Sequence, residues 1–284
     1  MTSHLDQTRT LMCSSGPVIM GILNVTPDSF SDGGRFDRID TAIQHASAMI
    51  EEGADIIDIG GESTRPGAQP VTVAEECDRV LPVIEAIRRQ YDVPVSIDTS
   101  KTEVIRQAID AGASMVNDVN ALRADGAVEA CAELGVPVCL MHMQGQPRTM
   151  QDDPRYDDVI DDVKSFLQDR ADVCERAGIS REDILLDPGF GFGKTLEHNL
   201  TLLTGLGRLC ELEYPVLAGV SRKSMFASIL TRNDAADPQS RVEASVVAAV
   251  IARQKGARWF RVHDVQQTRD AFDVMAALEK NVNG

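Results

Sequence analysis

An eightfold alternation limits the folds open to this chain more than anything else in it. Short apolar, β-branched runs recur at Val18–Thr26, Ala54–Gly61, Val93–Ser100, Met115–Val119, Val136–Met143, Asp183–Gly189, Pro215–Ser221 and Arg258–Asp264. They are nearly continuous in apolar residues, the pattern of strands covered on both faces. Segments of helical period separate them. Thr41–Glu52 lines Ala42, Ile43, Ala46, Met49 and Ile50 along one face, and Ala74–Gln90 does so with Val80, Val83, Ile84 and Ile87. Thr102–Ala111, Asp158–Ala177 and Val242–Lys255 continue the alternation. Gly53, Gly112, Gly135, Gly178 and Gly256 stand where helices should stop.

Strand and helix in strict turn imply parallel strands joined by right-handed crossovers. Eight such units close a ring, so the sequence predicts one (β/α)8 TIM barrel spanning residues 1–284, with residues 1–16 as a short preface. An open doubly wound sheet is the alternative. The length of 284 residues suits a single barrel.

Charge narrows the function classes. Against 28 basic residues stand 44 acidic ones, a formal net charge of −16 that repels nucleic acid and anionic membranes. An anionic substrate would need cations gathered locally. The six cysteines form no C-x-x-C pair, which argues against zinc and a disulfide framework and for a reducing, cytoplasmic setting. Ser245–Ala252 is too short to span a bilayer, and Asp6 with Gly16-Pro17 argues against a signal peptide.

A barrel places its working side chains at the C-terminal ends of the strands. Those ends carry Asn24, then Gly60 through Gly67, Asp98, Asn117 with Asp118, His142, Asp187, Ser221-Arg222-Lys223, and Arg261 with His263. A lone Asp98 could simply cap a helix. Polar residues at nearly all eight ends instead describe one wet pocket. Asp98, Asn117 and Asp187 suit the N–H edge of a flat heterocycle, and Lys223 offers a donor to a ring carbonyl or nitrogen. Arg65, Arg261 and His263 supply the cation density that a phosphate or pyrophosphate needs. Met141 could line a flat-ring pocket or fill core.

Several features are decoys. Gly189-Phe-Gly-Phe-Gly-Lys-Thr195 resembles a phosphate loop, but G-x-x-x-x-G-K-T needs glycine where Pro188 stands. Its glycines could expose Phe190 or Phe192 as an aromatic wall, with Phe190 expected in the core. His142 has no zinc-site spacing around it and is expected as a hydrogen-bonded barrel residue. His4, His45 and His198 read as surface. Lys223 has polar neighbours, so nothing in the sequence depresses its pKa toward a Schiff-base role.

Gly21-Ile-Leu-Asn-Val-Thr-Pro-Asp-Ser-Phe-Ser-Asp-Gly-Gly34 and Asp58-Ile-Gly-Gly-Glu-Ser-Thr-Arg-Pro-Gly67 resemble the two signatures of the dihydropteroate synthases. Ser96–Lys101, Leu140–Gln144, Leu186–Lys194, Ser221–Ser224 and Arg261–Asp264 resemble the family's other blocks, in order. The resemblance implies a cytoplasmic (β/α)8 barrel, usually a homodimer, that uses magnesium. Its reaction joins 4-aminobenzoate to a dihydropterin diphosphate, releases pyrophosphate, and is the sulfonamide target in folate synthesis. By the same resemblance, Asp98, Asn117, Asp187 and Lys223 match the pterin-edge positions. Asn24, Ser63, Arg65, Arg261 and His263 match those near pyrophosphate, with Asn24 the magnesium-associated one. Phe30, Asp32, Thr64, Pro66 and Phe192 match the aminobenzoate site, and Gly219 and Ser221 are expected beside the substrates. The loops Thr26–Phe36 and Gly60–Gln69 are expected to close over them. Catalytic roles are expected of Asn24, Asp32, Arg65, Lys223, Arg261 and His263. Arg261→Ala is expected to cut turnover while sparing pterin binding, and the lack of an insertion after Phe192 implies ordinary sulfonamide sensitivity. The rivals are a methyltetrahydrofolate:corrinoid methyltransferase-like barrel, a pterin-binding module without chemistry, and a Schiff-base aldolase.

Overall fold

A computed structural model of the chain describes residues 3–26, 35–63, 69–146, 149–232 and 234–282. Its strands are β1 (Val18–Asn24), β2 (Ile56–Gly60), β3 (Val95–Asp98), β4 (Met115–Asp118), β5 (Val138–Met141), β6 (Ile184–Asp187), β7 (Leu217–Ala218) and β8 (Trp259–Val262). They form one parallel eight-stranded sheet in the order β6-β5-β4-β3-β2-β1-β8-β7. A single bridge, Leu186 to Val216, joins its two edges. The Leu186 amide also donates to the Pro215 carbonyl at 3.0 Å, so the ring closes at its shortest strand. The expected barrel is therefore the observed one, with most strands trimmed by a residue or more at their ends.

The helices are α1 (His4–Met12), α2 (Arg35–Glu51), α3 (Val73–Gln90), α4 (Thr102–Asp110), α5 (Ala127–Leu134), α6 (Val159–Arg176), α7 (Leu196–Thr204), α8 (Gly207–Cys210), α9 (Val242–Gln254) and α10 (Val265–Val282). Their apolar faces cover the outside of the barrel; Ala42, Ala46 and Met49 of α2 and Val80, Val83, Ile84 and Ile87 of α3 all join the large core. Helix α2 begins at Arg35, six residues before the apolar pattern suggests. No helix among the described residues is long and apolar enough to cross a membrane. All six cysteines are unpaired.

Strand side chains alternate with period two, so one face of each strand looks into the barrel. Low in the barrel that face is apolar: Met20, Ile56, Met115, Cys139, Leu185, Leu217 and Trp259 pack into one buried cluster. Two residues further along the same strands the identities become Ile22, Asp58, Asn117, Met141, Asp187, Gly219 and Arg261. Register does the rest, pairing Asn24 with Gly60, Gly60 with Asp98, and Asp98 with Asn117 in one tier.

The preface is a structural element rather than a lead-in. Helix α1 starts in a capping box, with Ser3 and Asp6 exchanging hydrogen bonds. Its Met12 joins the buried floor cluster. Arg9 clamps Asp183 through Nε at 3.1 Å and Nη2 at 2.8 Å, and the Thr8 and Ser114 hydroxyls meet at 2.7 Å. The helix stoppers the end of the barrel opposite the polar tier.

Candidate active site

Arg261 is the hub of the polar tier. From β8 it reaches across the barrel, placing Nε 2.6 Å from Asp58 Oδ2 and Nη2 2.7 Å from Asp98 Oδ2. Asn117 Nδ2 also donates to Asp58 Oδ2, at 3.0 Å. Asp58 is fully buried and its Oδ1 has no partner among the described residues. Sequence reasoning missed Asp58 as a site residue. The available signal was its position two residues before Gly60, on the inward face of β2.

Burial pushes the Asp98 carboxyl up to about 7; Arg261 opposes this, while Asp58, Asp118 and Glu76 add to it. Asp118, also at the end of β4, points the other way. It accepts the Asn120 and Leu122 amides at 2.7 Å each and so holds a turn rather than facing the pocket.

Asp187 closes the ring from β6. Burial raises its pKa, and the Gly189 amide that donates to Oδ1 at 2.7 Å, then Lys223, work against the rise. Gly219 keeps the space beside it open, since a Cβ there would stand 3.6 Å from Asp187 Oδ2. Ser221 Oγ sits 3.0 Å from His263 Nδ1 and accepts the His263 amide at 3.1 Å, tying the loop after β7 to the end of β8.

Lys223 corrects the sequence reading. Loss of water pulls its pKa down to about 8, with Asp187 opposing, although its sequence neighbours are polar. Arg261 lowers it further, while the Phe192 ring, 4.3 Å from the Nζ, favours the charged form. Arg222 is likewise not part of the pocket. Its backbone is left-handed at φ 54°, its side chain forks onto Asp264 at 3.0 and 2.5 Å, and its amide donates to Ser245 Oγ at 2.8 Å.

Phe190 is fully buried in the core, as expected, while Phe192 is half-buried and packs on Met141, Met143 and Met150. Met141 is buried in that cluster, in keeping with the core-filling reading given for it. The glycines of this segment answer to packing, not to phosphate. A Cβ on Gly189 would meet the His142 carbonyl at 1.9 Å, and one on Gly193 the Gln144 carbonyl at 2.4 Å. His142 is buried and hydrogen-bonded, as expected, and burial beside Lys194 drops its pKa to about 3. His198 caps α7 as the third residue of a capping box rather than merely decorating the surface.

Asn24 and Ser63 are described, the former with Oδ1 3.8 Å from where a Gly60 Cβ would stand. Phe30, Asp32, Thr64, Arg65 and Pro66 lie outside the described residues. The structure therefore brings together Asn24, Asp98, Asn117, Met141, Asp187, Phe192, Gly219, Lys223, Ser221, Arg261 and His263 around one mouth.

A family model described as pterin binding enzyme matches residues 20–263. The chain belongs to the pterin binding enzyme family. Its relatives there include the dihydropteroate synthase of Escherichia coli K12, 52% identical over 263 residues that cover 93% of this chain and 92% of that one. That of Haemophilus influenzae is 51% identical, with 93% and 94% covered. Among solved structures, a Xanthomonas albilineans dihydropteroate synthase with 4-aminobenzoic acid superposes with a TM-score of 0.87 at 52% identity, covering 93% of each chain. A Yersinia pestis dihydropteroate synthase in a sulfonamide drug complex gives 0.88 at 52% identity, covering 94% of this chain and 95% of that one. The Xanthomonas albilineans enzyme in complex with 7,8-dihydropteroate gives 0.84 at 49%, covering 93% and 94%. Membership of the pterin binding enzymes agrees with a tier of amide and carboxylate groups beside one lysine, the chemistry a flat N-heterocycle requires.

Proposed function

We infer that this chain is a transferase that condenses a (7,8-dihydropterin-6-yl)methyl diphosphate with 4-aminobenzoate to give 7,8-dihydropteroate and pyrophosphate. The observation that carries the reading is the ring of Asp98, Asn117, Asp187 and Lys223 above the Arg261 hub, in a chain half identical to dihydropteroate synthases.

In this reading Asp98, Asn117 and Asp187 hold the amidine-like edge of the pterin, and Lys223 donates to its ring carbonyl or nitrogen. Phe192 and Met141 wall the flat ring. The methylene–oxygen bond stretches, the electron-rich reduced pterin shares the growing positive charge, and Arg261 with His263 steadies the departing pyrophosphate. The neutral aniline nitrogen attacks the methylene carbon and then loses a proton, so no strong base is required. Arg65, Ser63 and Thr64 in the second loop, and Phe30, Asp32 and Pro66, are proposed to complete the pyrophosphate and aminobenzoate contacts. Sulfonamides, as mimics of 4-aminobenzoate, are proposed to compete at that site.

Magnesium fits the donor set. Asn24 offers a hard amide oxygen at the rim, beside the open space over Gly60, and Mg²⁺ is commonly held by one or two protein groups plus substrate phosphates. Bound there, it would neutralise charge on the leaving pyrophosphate. We also propose a cytoplasmic homodimer. Its interface would draw on Val247 of α9 and Val274 and Leu278 of α10, which are 58%, 61% and 62% exposed on helices lying side by side.

Product identification tests the reading. Mass analysis after incubation with dihydropterin diphosphate, 4-aminobenzoate and Mg²⁺ should show dihydropteroate, and a sulfonamide should suppress it when 4-aminobenzoate is near its KM. Methyl transfer from methyltetrahydrofolate to a corrinoid, or borohydride trapping at Lys223, would establish a rival instead.

A further inference from the structure

We propose that Lys194 is a positioning residue for the reaction inferred above, fixing from inside the fold the turn that carries Phe192 beneath the Lys223 ammonium. This rests on the transferase reading and deepens it. Lys194 is the lysine of the segment that mimics a phosphate loop, yet it is only 3% exposed.

Burial pulls the Lys194 pKa down to about 7, with Asp187 opposing; in its ammonium form it has three donors and no acceptor. Lys194 Nζ has three acceptors in reach: Gly189 O at 3.0 Å, Phe192 O at 3.1 Å and His142 Nδ1 at 2.9 Å. Burial holds His142 in its neutral form, and with the proton on Nε2 its Nδ1 accepts. The two carbonyls belong to the ends of one tight turn, which the Phe192 amide closes onto Gly189 O at 3.1 Å. The lysine therefore staples both ends of the turn to the loop after β5. Asn199 Oδ1 accepts the Gly191 amide at 2.7 Å, and the Tyr156 hydroxyl donates to Gly193 O at 2.7 Å, bracing the same segment.

The opposite side of this turn is the surface Lys223 meets. A Cβ on Gly191 would stand 3.3 Å from Lys223 Cδ, and the Phe192 ring lies 4.3 Å from its Nζ. A displaced turn therefore displaces the ammonium that holds the pterin. Burying a lysine is costly and an apolar side chain would fill the space; what an apolar side chain cannot do is hold two turn carbonyls at once.

The experiment is steady-state kinetics of K194M, F192L and the double variant, with thermal unfolding of each. K194M and F192L should each raise KM for dihydropterin diphosphate at least tenfold. The double variant should stay within twofold of the worse single one, because both act through the Phe192 turn. A lysine that only stabilises the fold would lower the active fraction, and so kcat, with KM unmoved. An unmoved KM in K194M, or a double variant whose loss is the product of the two single losses, would overturn the proposal. If K194M does not fold, Y156F loosens the same turn by one hydroxyl and should raise that KM two- to fivefold; an unmoved KM there also overturns it. Wild-type protein that makes no dihydropteroate would instead overturn the transferase reading.

Discussion

Asp98 and Lys223 are moved in opposite directions by the same dry mouth, the carboxyl up to about 7 and the ammonium down to about 8. Pterin recognition by an ionised Asp98 and a charged Lys223 is then confined to a narrow window. The kcat/KM for the pterin diphosphate should be bell-shaped in pH, with limbs near 7 and 8. K223R should carry the basic limb above the measurable range, since arginine keeps its proton; an unchanged basic limb would assign it to another group. The Asp98 shift also bears on stability. The folded carboxyl binds its proton more tightly than the unfolded one, so its contribution to stability is greatest at low pH and is lost as pH rises from about 4 to about 7. Asp98→Asn should remove that slope in urea unfolding. Arg261 carries a sharper consequence. Because it pairs with both Asp58 and Asp98, Arg261→Ala leaves two carboxylates uncompensated and should cost about 3–5 kcal/mol of stability. It should also weaken pterin binding, contrary to the division of labour expected from sequence. Asp98, Asn117, Asp187 and Lys223 were legible because strand ends are where a barrel exposes polar groups. Asp58 and the Lys223 shift were not, because they depend on which face of β2 looks inward and on how completely the fold buries the lysine.

At the scale of elements, α1 is the part least visible in sequence. Residues 1–16 read as a preface, and only the fold shows Met12 in one buried cluster with Trp259, Met20 and Leu217. Met12→Ala should cost about 2–4 kcal/mol of stability, as deletion of a buried side chain does, with KM values unchanged because the floor lies opposite the mouth. Equilibrium urea unfolding checks the first part and kinetics the second. The segment after β6 teaches the converse lesson. Its glycine spacing looked like phosphate chemistry, whereas the spacing is set by His142 and Gln144 carbonyls that leave no room for a Cβ.

For the whole molecule, the alternation of apolar runs and helical segments was enough to give barrel, strand number and the end that carries the site. How the ring closes was not legible, since β7 is two residues long and meets β6 through one bridge. If α9 and α10 form the proposed dimer face, Val274→Glu with Leu278→Glu should yield a monomer in sedimentation equilibrium with the barrel still folded. The mouth also has a whole-molecule meaning: Arg261 and Lys223 stand beside Asp58, Asp98 and Asp187 in a chain of net charge −16. The mouth must therefore draw its anionic substrate against the general field, and salt should screen that field. Pyrophosphate release from dihydropterin diphosphate and Mg²⁺, measured with and without 4-aminobenzoate, tests the central claim most directly. The account predicts release that depends on 4-aminobenzoate and matches dihydropteroate formed one for one. Pterin binding without any 4-aminobenzoate-dependent release would contradict it.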